Sequence, residues 1–79
     1  EEFLVVLRGA NIDAALRVFE ALRTGLHERE PSELPRYTFS AGPAELGPDG
    51  ATGLDLLAKA DARLYEAKRL GRDRIVRGA

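Results

Sequence analysis

The sequence LLAKADARLYEAKRLGRDRIV, residues 56–76, contains the clearest folding signal in the chain. Apolar residues recur along it, and just before it, at steps of three and four, which is the period of one helix face. This stripe comprises Leu54, Leu57, Ala60, Leu64 and Ala67. Thr52 or Gly53 is placed to cap the start, and Gly71 follows Leu70, where a helix C-terminus prefers glycine. The pattern predicts a helix that begins near Gly53 and ends near Leu70.

A second amphipathic helix is predicted upstream, from about Ile12 to about Glu28. Asn11 is a suitable N-cap, because its side-chain oxygen can accept a backbone N–H of the first turn. The apolar positions again recur at three- and four-residue steps, and they are Ile12, Ala15, Leu16, Phe19, Leu22 and Leu26. Gly25 weakens the last turns without ending the helix.

Three segments have the composition of strands. Phe3–Leu7 is a short apolar run rich in β-formers, which predicts a strand buried on both faces. Arg36–Ala41 is a second candidate, which Pro43 either ends or confines to a sheet edge. Arg74–Arg77 is a short third candidate, and the prolines of residues 30–35 predict a loop. The expected order is strand, helix, strand, helix and short strand.

Composition limits the functions that this chain can perform. Its 79 residues carry 12 basic and 13 acidic side chains, a formal net charge of −1, which argues against general electrostatic capture of nucleic acid or anionic membranes. With no cysteine there is no thiolate chemistry, and the lone His27 makes no metal site without carboxylates. No secretion leader is visible, and because Met is absent we expect a piece of a longer protein. We expect this piece to be cytoplasmic, with a parent protein that other domains could attach to a membrane.

The charge is divided unevenly along the chain. Residues 1–54 hold 5 basic and 9 acidic side chains, whereas residues 55–79 hold 7 basic and 4 acidic ones. One interpretation is that the acidic and basic ends close around a bound metal–phosphate ligand. The other is ordinary scatter of charges over a surface, and composition alone favours it.

Two pairs of residues are candidates for chemistry. Glu1 and Glu2 could share a hard cation such as Mg²⁺, which takes oxygen ligands together with substrate phosphates, or could form a solvated acidic terminus. Lys68 and Arg72 could grip a polyphosphate, or could simply complement the helix dipole. Asp61 falls on the apolar side of its helix, one turn before Tyr65, and both are interpreted as structural residues.

Together these segments resemble the GGDEF domains, the diguanylate cyclases. Glu1, Glu2 and Phe3 match the end of the family's Gly-Gly-(Asp/Glu)-Glu-Phe turn. YTFSAGPAEL, residues 37–46, is similar to its T-x-S-x-G-x-A segment, and residues 56–76 are similar to A-D-x-A-L-Y-x-A-K-x-x-G-R-N. The positions that match this last motif in register are Ala60, Asp61, Leu64, Tyr65, Ala67, Lys68, Gly71 and Arg72. The departures are Pro43, Arg63 and Asp73, the last standing where Asn is usual.

The resemblance implies a fold. It is α+β, the C-terminal half of a nucleotidyl-cyclase-like palm, with an antiparallel sheet, helices packed on it and the order β-α-β-α-β. Residues 1–79 would form one partial domain, whose sheet is incomplete because the family's first strand lies upstream. Its open edges predict that the chain either pairs or swaps strands with a second copy, or rests on protein outside these residues.

The resemblance also implies an activity. Each domain of a homodimer would bind one GTP, and the two would condense to cyclic di-GMP and pyrophosphate with Mg²⁺ or Mn²⁺. Glu1 would be the catalytic and metal-binding acid, Glu2 a second metal ligand, and Lys68 and Arg72 the triphosphate ligands. Phe3, Asp61, Tyr65 and Gly71 would be structural.

Two alternatives to an active cyclase stay open. One is a degenerate module that binds GTP or mediates dimerisation without turnover, and the other is a plain α+β interaction domain. The family's other metal-binding Asp, its guanine-reading residues and its inhibitory R-x-x-D motif lie upstream, and no R-x-x-D occurs in these residues. We therefore expect the 79 residues alone to be inactive.

Overall fold

Two helices are the regular elements of the computed structural model, which describes residues 2–28 and 37–77. They are α1 (Ile12–Glu28) and α2 (Gly53–Arg69). Both predicted helices are thereby confirmed, and α1 has the bounds expected from its apolar stripe. The loop predicted over residues 30–35 lies outside the described residues.

Helix α1 begins where two backbone donors find side-chain acceptors. Asn11 Oδ1 accepts the N–H of Ala14 at 2.9 Å, which confirms Asn11 as the N-cap. The N–H of Ile12 donates to Glu45 Oε1 at 2.7 Å, across 33 residues of sequence. The first turn of α1 is therefore fixed both by its own cap and by the segment that precedes α2.

Helix α2 is capped at both ends by local sequence. Thr52 has extended backbone angles and its hydroxyl accepts the N–H of Asp55 at 3.2 Å. At the other end the N–H groups of Gly71 and Arg72 donate to the carbonyls of Lys68 and Ala67, at 3.3 and 2.9 Å. Gly71 has a φ of 119°, and this pattern of two bonds around a left-handed glycine is the Schellman motif.

The predicted fold class is wrong, because the described residues contain no strand and so no antiparallel sheet. The nearest approach to a sheet is a single parallel bridge between Ala41 and Ile75. There Ala41 donates to the carbonyl of Arg74 and accepts from the N–H of Val76, both at 3.0 Å. One bridge is too short to make a ladder, so neither residues 37–41 of the second predicted strand nor Arg74–Arg77, the third, form a strand in the described part of the chain.

The physical reason is that a strand needs a neighbour to take its backbone hydrogen bonds, whereas a helix supplies its own. Phe3–Leu7 has strand composition but makes no ladder in the described residues, and its side chains are exposed, from 38% for Leu7 to 85% for Phe3. β-propensity reports how well residues fit a half-buried sheet and does not supply the sheet itself.

A small apolar contact region joins the helices to residues 37–44. Phe19 of α1 meets Phe39 edge to face, with ring centroids 6.3 Å apart. Gly42 packs against the backbone of α2, where a Cβ on Gly42 would come within 2.5 Å of the Leu64 nitrogen and the Ala60 oxygen. Ala67 is the one fully buried apolar residue of the described ranges.

A polar network fastens the segment before α2 to both helices. Arg63, on α2, donates to both carboxylate oxygens of Asp49 and to the carbonyl of Pro43, at 2.8–3.0 Å. Asp49 in turn accepts the N–H of Glu45, whose side chain accepts from Ile12. This series of contacts, from Arg63 through Asp49 and Glu45 to Ile12, links the middle of α2 to the start of α1.

Candidate functional site

The acidic start of the chain meets the basic end of α2. Lys68 Nζ donates to Glu2 Oε2 at 2.7 Å, although 66 residues separate the two in sequence. Lys68 occupies the last turn of α2, and its side chain is one-third exposed while that of Glu2 is more than half exposed. Of the four predicted site residues, the structure thus brings two into direct contact.

The contact perturbs the titration of Glu2. The pKa of the Glu2 carboxyl is lowered from its ordinary value, chiefly because Lys68 donates a hydrogen bond to it and also because of the ammonium charge. Glu2 is therefore an ionised carboxylate at neutral pH. It offers oxygen ligands to a cation, and Lys68 offers a positive charge to an anion.

Arg72 lies just beyond α2 in a turn that we call the Arg72 turn, residues 70–73. Its N–H donates to the carbonyl of Ala67, so the backbone of Arg72 folds back on the helix turn that carries Lys68. Arg72 has a φ of 63° and Asp73 a φ of 49°, both in the left-handed region. The carbonyl of Arg72 accepts from Arg74 Nε at 3.1 Å.

Helix α1 contacts the Arg72 turn through Asp73. Arg23 Nε donates to the Asp73 carbonyl at 2.9 Å and lies 3.3 Å from its carboxylate. His27 Nε2 lies 2.8 Å from each carboxylate oxygen of Asp73. The pKa of the Asp73 carboxyl is lowered, first because His27 hydrogen-bonds to it and then because of the charges of His27 and Arg23.

Of the two predicted metal ligands, Glu2 lies within the described residues. Glu2 has the oxygen donor chemistry that Mg²⁺ prefers. No group of three potential metal-ligating side chains occurs within residues 2–28 and 37–77. A metal ion at Glu2 would therefore take further oxygen ligands from elsewhere, and adjacent Glu1 and substrate phosphates have suitable chemistry. Glu1 itself lies outside the described residues.

The predicted structural residues have different surroundings. Gly71 occupies the left-handed position that ends α2. Phe3, Asp61 and Tyr65 are all exposed in the structure, Phe3 by 85% and Tyr65 by 67%. Because Asp61 is exposed, its carboxylate has water available and does not need a protein partner. The structural roles of these three residues stay predictions.

Sequence reasoning missed the residues that support the site. Arg63 was noted only as a departure from a familiar motif, yet its side chain is 13% exposed and pairs with Asp49. The sequence offers His27 only as a lone imidazole without metal-ligating partners, whereas the structure brings its Nε2 into contact with Asp73 across 46 residues. The sequence feature that could have predicted these contacts is Asp73, because a carboxylate in place of the usual Asn indicates a cationic partner.

Comparison with known proteins identifies the family. The family described as "Diguanylate cyclase, GGDEF domain" matches residues 1–74. The chain belongs to the GGDEF family. The match includes Glu2, Lys68 and Arg72, so the ion pair between Glu2 and Lys68 lies within the matched residues.

Two curated relatives show how much of a GGDEF protein these residues represent. "Diguanylate cyclase DgcM" of Escherichia coli (strain K12) is 36% identical over 77 residues, which are 96% of this chain and 18% of that relative. "Diguanylate cyclase A" of Treponema denticola is 31% identical over 78 residues, 95% of this chain and 21% of that relative. The chain spans about a fifth of these relatives. No solved structure matches it significantly.

Neither helix of the described residues is both long enough and apolar enough to cross a membrane.

Proposed function

We propose that residues 1–79 are the C-terminal part of a GGDEF domain in a diguanylate cyclase, which condenses two GTP molecules into cyclic di-GMP and pyrophosphate. The family match over residues 1–74 supports this, as do the names of two relatives that align with nearly all of the chain. Because the chain spans about a fifth of those relatives, the activity is proposed for the complete protein and not for these residues alone.

The observation that carries the proposal is the contact between Lys68 Nζ and Glu2 Oε2, at 2.7 Å. A metal–nucleoside triphosphate presents a cation and an anion side by side. A site for it needs a carboxylate and a basic side chain within reach of one another. Lys68 and Glu2 satisfy that requirement from opposite ends of the sequence.

Each proposed site residue has a role that suits its chemistry. Lys68 and Arg72 bind the triphosphate, Lys68 as a compact charge and Arg72 through the planar fork of its guanidinium. Glu1 and Glu2 bind Mg²⁺ or Mn²⁺, and Glu1 is also the catalytic acid of the turn. When bound, the metal ion stabilises charge on the phosphates and favours formation of the attacking alkoxide.

Nucleotide binding would exchange partners at the Glu2–Lys68 pair. The ammonium of Lys68 would turn from the Glu2 carboxylate to a phosphate, and the carboxylate would turn to the metal ion. Exposed ion pairs contribute little to stability, so this exchange opposes binding only weakly. The Lys68 ammonium and the Glu2 carboxylate would each exchange one oppositely charged partner for another, so neither charge would be left unpaired.

Two such domains would act together, since the product contains two nucleotides. We propose a homodimer in which each domain carries one GTP. The 79-residue chain alone is expected to be inactive, because the family's remaining metal ligand and guanine-reading residues lie upstream of the matched signature.

The test uses the complete protein that contains these residues, incubated with GTP and Mg²⁺. Glu1→Ala should abolish cyclic di-GMP formation, and Lys68→Ala should mainly raise the KM for GTP. Arg69→Ala is the matched control, because Arg69 occupies the same helix turn but pairs with Glu66 of its own helix. Full activity of Glu1→Ala would contradict the assignment. Tight GTP binding by the unmodified protein without turnover would instead favour the degenerate, regulatory module.

A further inference from the structure

The Arg72 turn contains two consecutive non-glycine residues in the left-handed region, Arg72 at a φ of 63° and Asp73 at a φ of 49°. Aspartate tolerates this region better than most residues, whereas a long side chain such as arginine enters it uncommonly. Backbone strain of this kind persists where surrounding contacts enforce it, and it is concentrated at functional sites. The contacts that enforce it here can be named.

Those contacts come from two directions. Helix α2 accepts the N–H of Arg72 at the Ala67 carbonyl, which fixes the start of the turn. Helix α1 supplies the rest, because Arg23 donates to the Asp73 carbonyl at 2.9 Å and His27 Nε2 lies 2.8 Å from its carboxylate oxygens. Asp73 is thus bound by α1 through both its backbone and its side chain.

The identity of residue 73 sets the strength of this attachment. Asparagine and aspartate both tolerate the left-handed region, so either residue permits the turn. Aspartate adds a negative charge, and hydrogen bonds between charged groups are stronger than those between neutral groups. The Asp73 carboxylate is 29% exposed and the Arg23 side chain 30%, so both partners are partly shielded from water.

We propose that Asp73 is a positioning residue that acts through Arg72: its contacts with Arg23 and His27 of α1 keep the Arg72 turn folded against the helix end that carries Lys68. This inference rests on the proposed function, since it assigns to the turn the task of presenting Arg72 to the nucleotide triphosphate. Asp73 itself does not touch the nucleotide.

The consequence is a loss of affinity when Asp73 is removed. Without the carboxylate, only the bond from Arg23 to the backbone carbonyl of residue 73 still holds the turn to α1, so the guanidinium of Arg72 samples more positions and binding must then order it. Asp73→Gly removes the carboxylate but permits the same φ, so it separates loss of the contacts from backbone strain. We expect Asp73→Gly to weaken GTP binding about fivefold, with a raised KM and little change in kcat.

A double-mutant cycle tests whether Asp73 acts through Arg72. The affinity of the complete protein for an unreactive GTP analogue is measured by calorimetry for Asp73→Gly, Arg72→Ala and the double variant. If Asp73 acts only through Arg72, Asp73→Gly has no further effect once Arg72 is alanine. The conservative variant Asp73→Asn should recover affinity to within about twofold of the unmodified protein, because asparagine keeps an acceptor and tolerates the left-handed region.

A second measurement does not depend on nucleotide. Hydrogen exchange of the Arg72 amide reports the bond to the Ala67 carbonyl, and Asp73→Gly should accelerate that exchange by about tenfold while the amides in the middle of α2 stay protected. Should Asp73→Gly not fold, Arg23→Ala provides a second variant, which should also accelerate exchange of the Arg72 amide.

The outcomes separate this inference from the proposed function. If the unmodified protein binds no GTP, both are overturned. If it binds GTP and Arg72→Ala weakens binding but Asp73→Gly does not, only the role of Asp73 is overturned. Equal losses from Asp73→Gly with and without Arg72 would also overturn it, as would unchanged exchange of the Arg72 amide.

Discussion

Arg63 Nη2 lies 2.8 Å from Asp49 Oδ1, and Arg63 Nη1 lies 3.0 Å from Asp49 Oδ2, so the guanidinium and the carboxylate meet through two parallel hydrogen bonds. Both side chains are largely shielded, at 13% and 14% exposure. Such two-bond pairing is the strongest geometry available to these groups. It joins the middle of α2 to the turn before that helix, which also holds the start of α1 through Glu45.

Removing one member of this pair leaves the other charge shielded and without its partner. We expect Arg63→Ala to lower the free energy of unfolding by about 2–3 kcal/mol, measured by urea denaturation. Arg69→Ala serves as control, because its partner Glu66 lies on the same exposed helix surface, and it should leave the midpoint nearly unchanged. Equal effects of the two variants would mean that the Arg63–Asp49 pair has no special structural role.

The same pair predicts sensitivity to acid. Arg63 donates to the Asp49 carboxylate, with a further contribution from the N–H of Glu45, and these contacts lower the pKa of Asp49 to about 2. The folded state therefore binds this proton less tightly than the unfolded chain. The stabilisation is present above about pH 4 and is lost as the pH falls towards 2, by at most about 2.5 kcal/mol.

Asp49→Asn isolates that acid-sensitive contribution, because asparagine has nearly the same shape and no proton to bind. The unfolding free energies of the unmodified protein and of Asp49→Asn should converge as the pH is lowered from 5 to 2, when followed by urea denaturation at each pH. A constant difference across that range would show that the Asp49 carboxylate is not perturbed by Arg63.

Gly42 is expected to tolerate no side chain. A Cβ there would lie 2.4 Å from the Leu64 nitrogen and 2.5 Å from the Ala60 oxygen, which are backbone atoms of α2 and cannot rotate away. Gly42→Ala should therefore destabilise the protein by about 1–3 kcal/mol in thermal or urea unfolding.

Gly25→Ala is the matched control for that substitution. Gly25 lies inside α1, and a Cβ there would have nothing within 4 Å. Alanine is the better helix former, so Gly25→Ala should stabilise the protein by about 0.5–1 kcal/mol. Opposite signs for the two glycine substitutions are the expected result, and destabilisation by both would contradict it.

The two helices could be predicted from sequence because their determinants are local. The side chains of Asn11 and Thr52 cap the two helices by accepting backbone N–H groups only three residues away, and Gly71 adopts the left-handed conformation that ends α2. Strand prediction failed because a ladder is formed between distant segments. Composition identified Phe3–Leu7 as apolar but could not supply the neighbour that would bury it.

The candidate site, like the fold, could be predicted from the sequence only in part. The resemblance to a known motif singled out Lys68 and Glu2, which the structure places in contact. The residues that support the Arg72 turn were not found, because Arg23 and His27 reach Asp73 across 50 and 46 residues of sequence. Periodicity and spacing describe one element at a time, whereas these contacts depend on how two elements pack.

The exposed segment Phe3–Leu7 predicts self-association of the separately produced 79-residue chain. Five consecutive apolar side chains are 38–85% exposed, and an apolar run of this kind is stabilised by contact with a second copy. Light scattering after size-exclusion chromatography should show a dimer or larger species. Val6→Lys should shift it towards the monomer, because burying an ammonium in such a contact is costly. Leu54→Lys is the control: Leu54 lies on α2 and is 81% exposed, and its substitution should leave the association unchanged. A monomer at all concentrations would show that this segment does not mediate association.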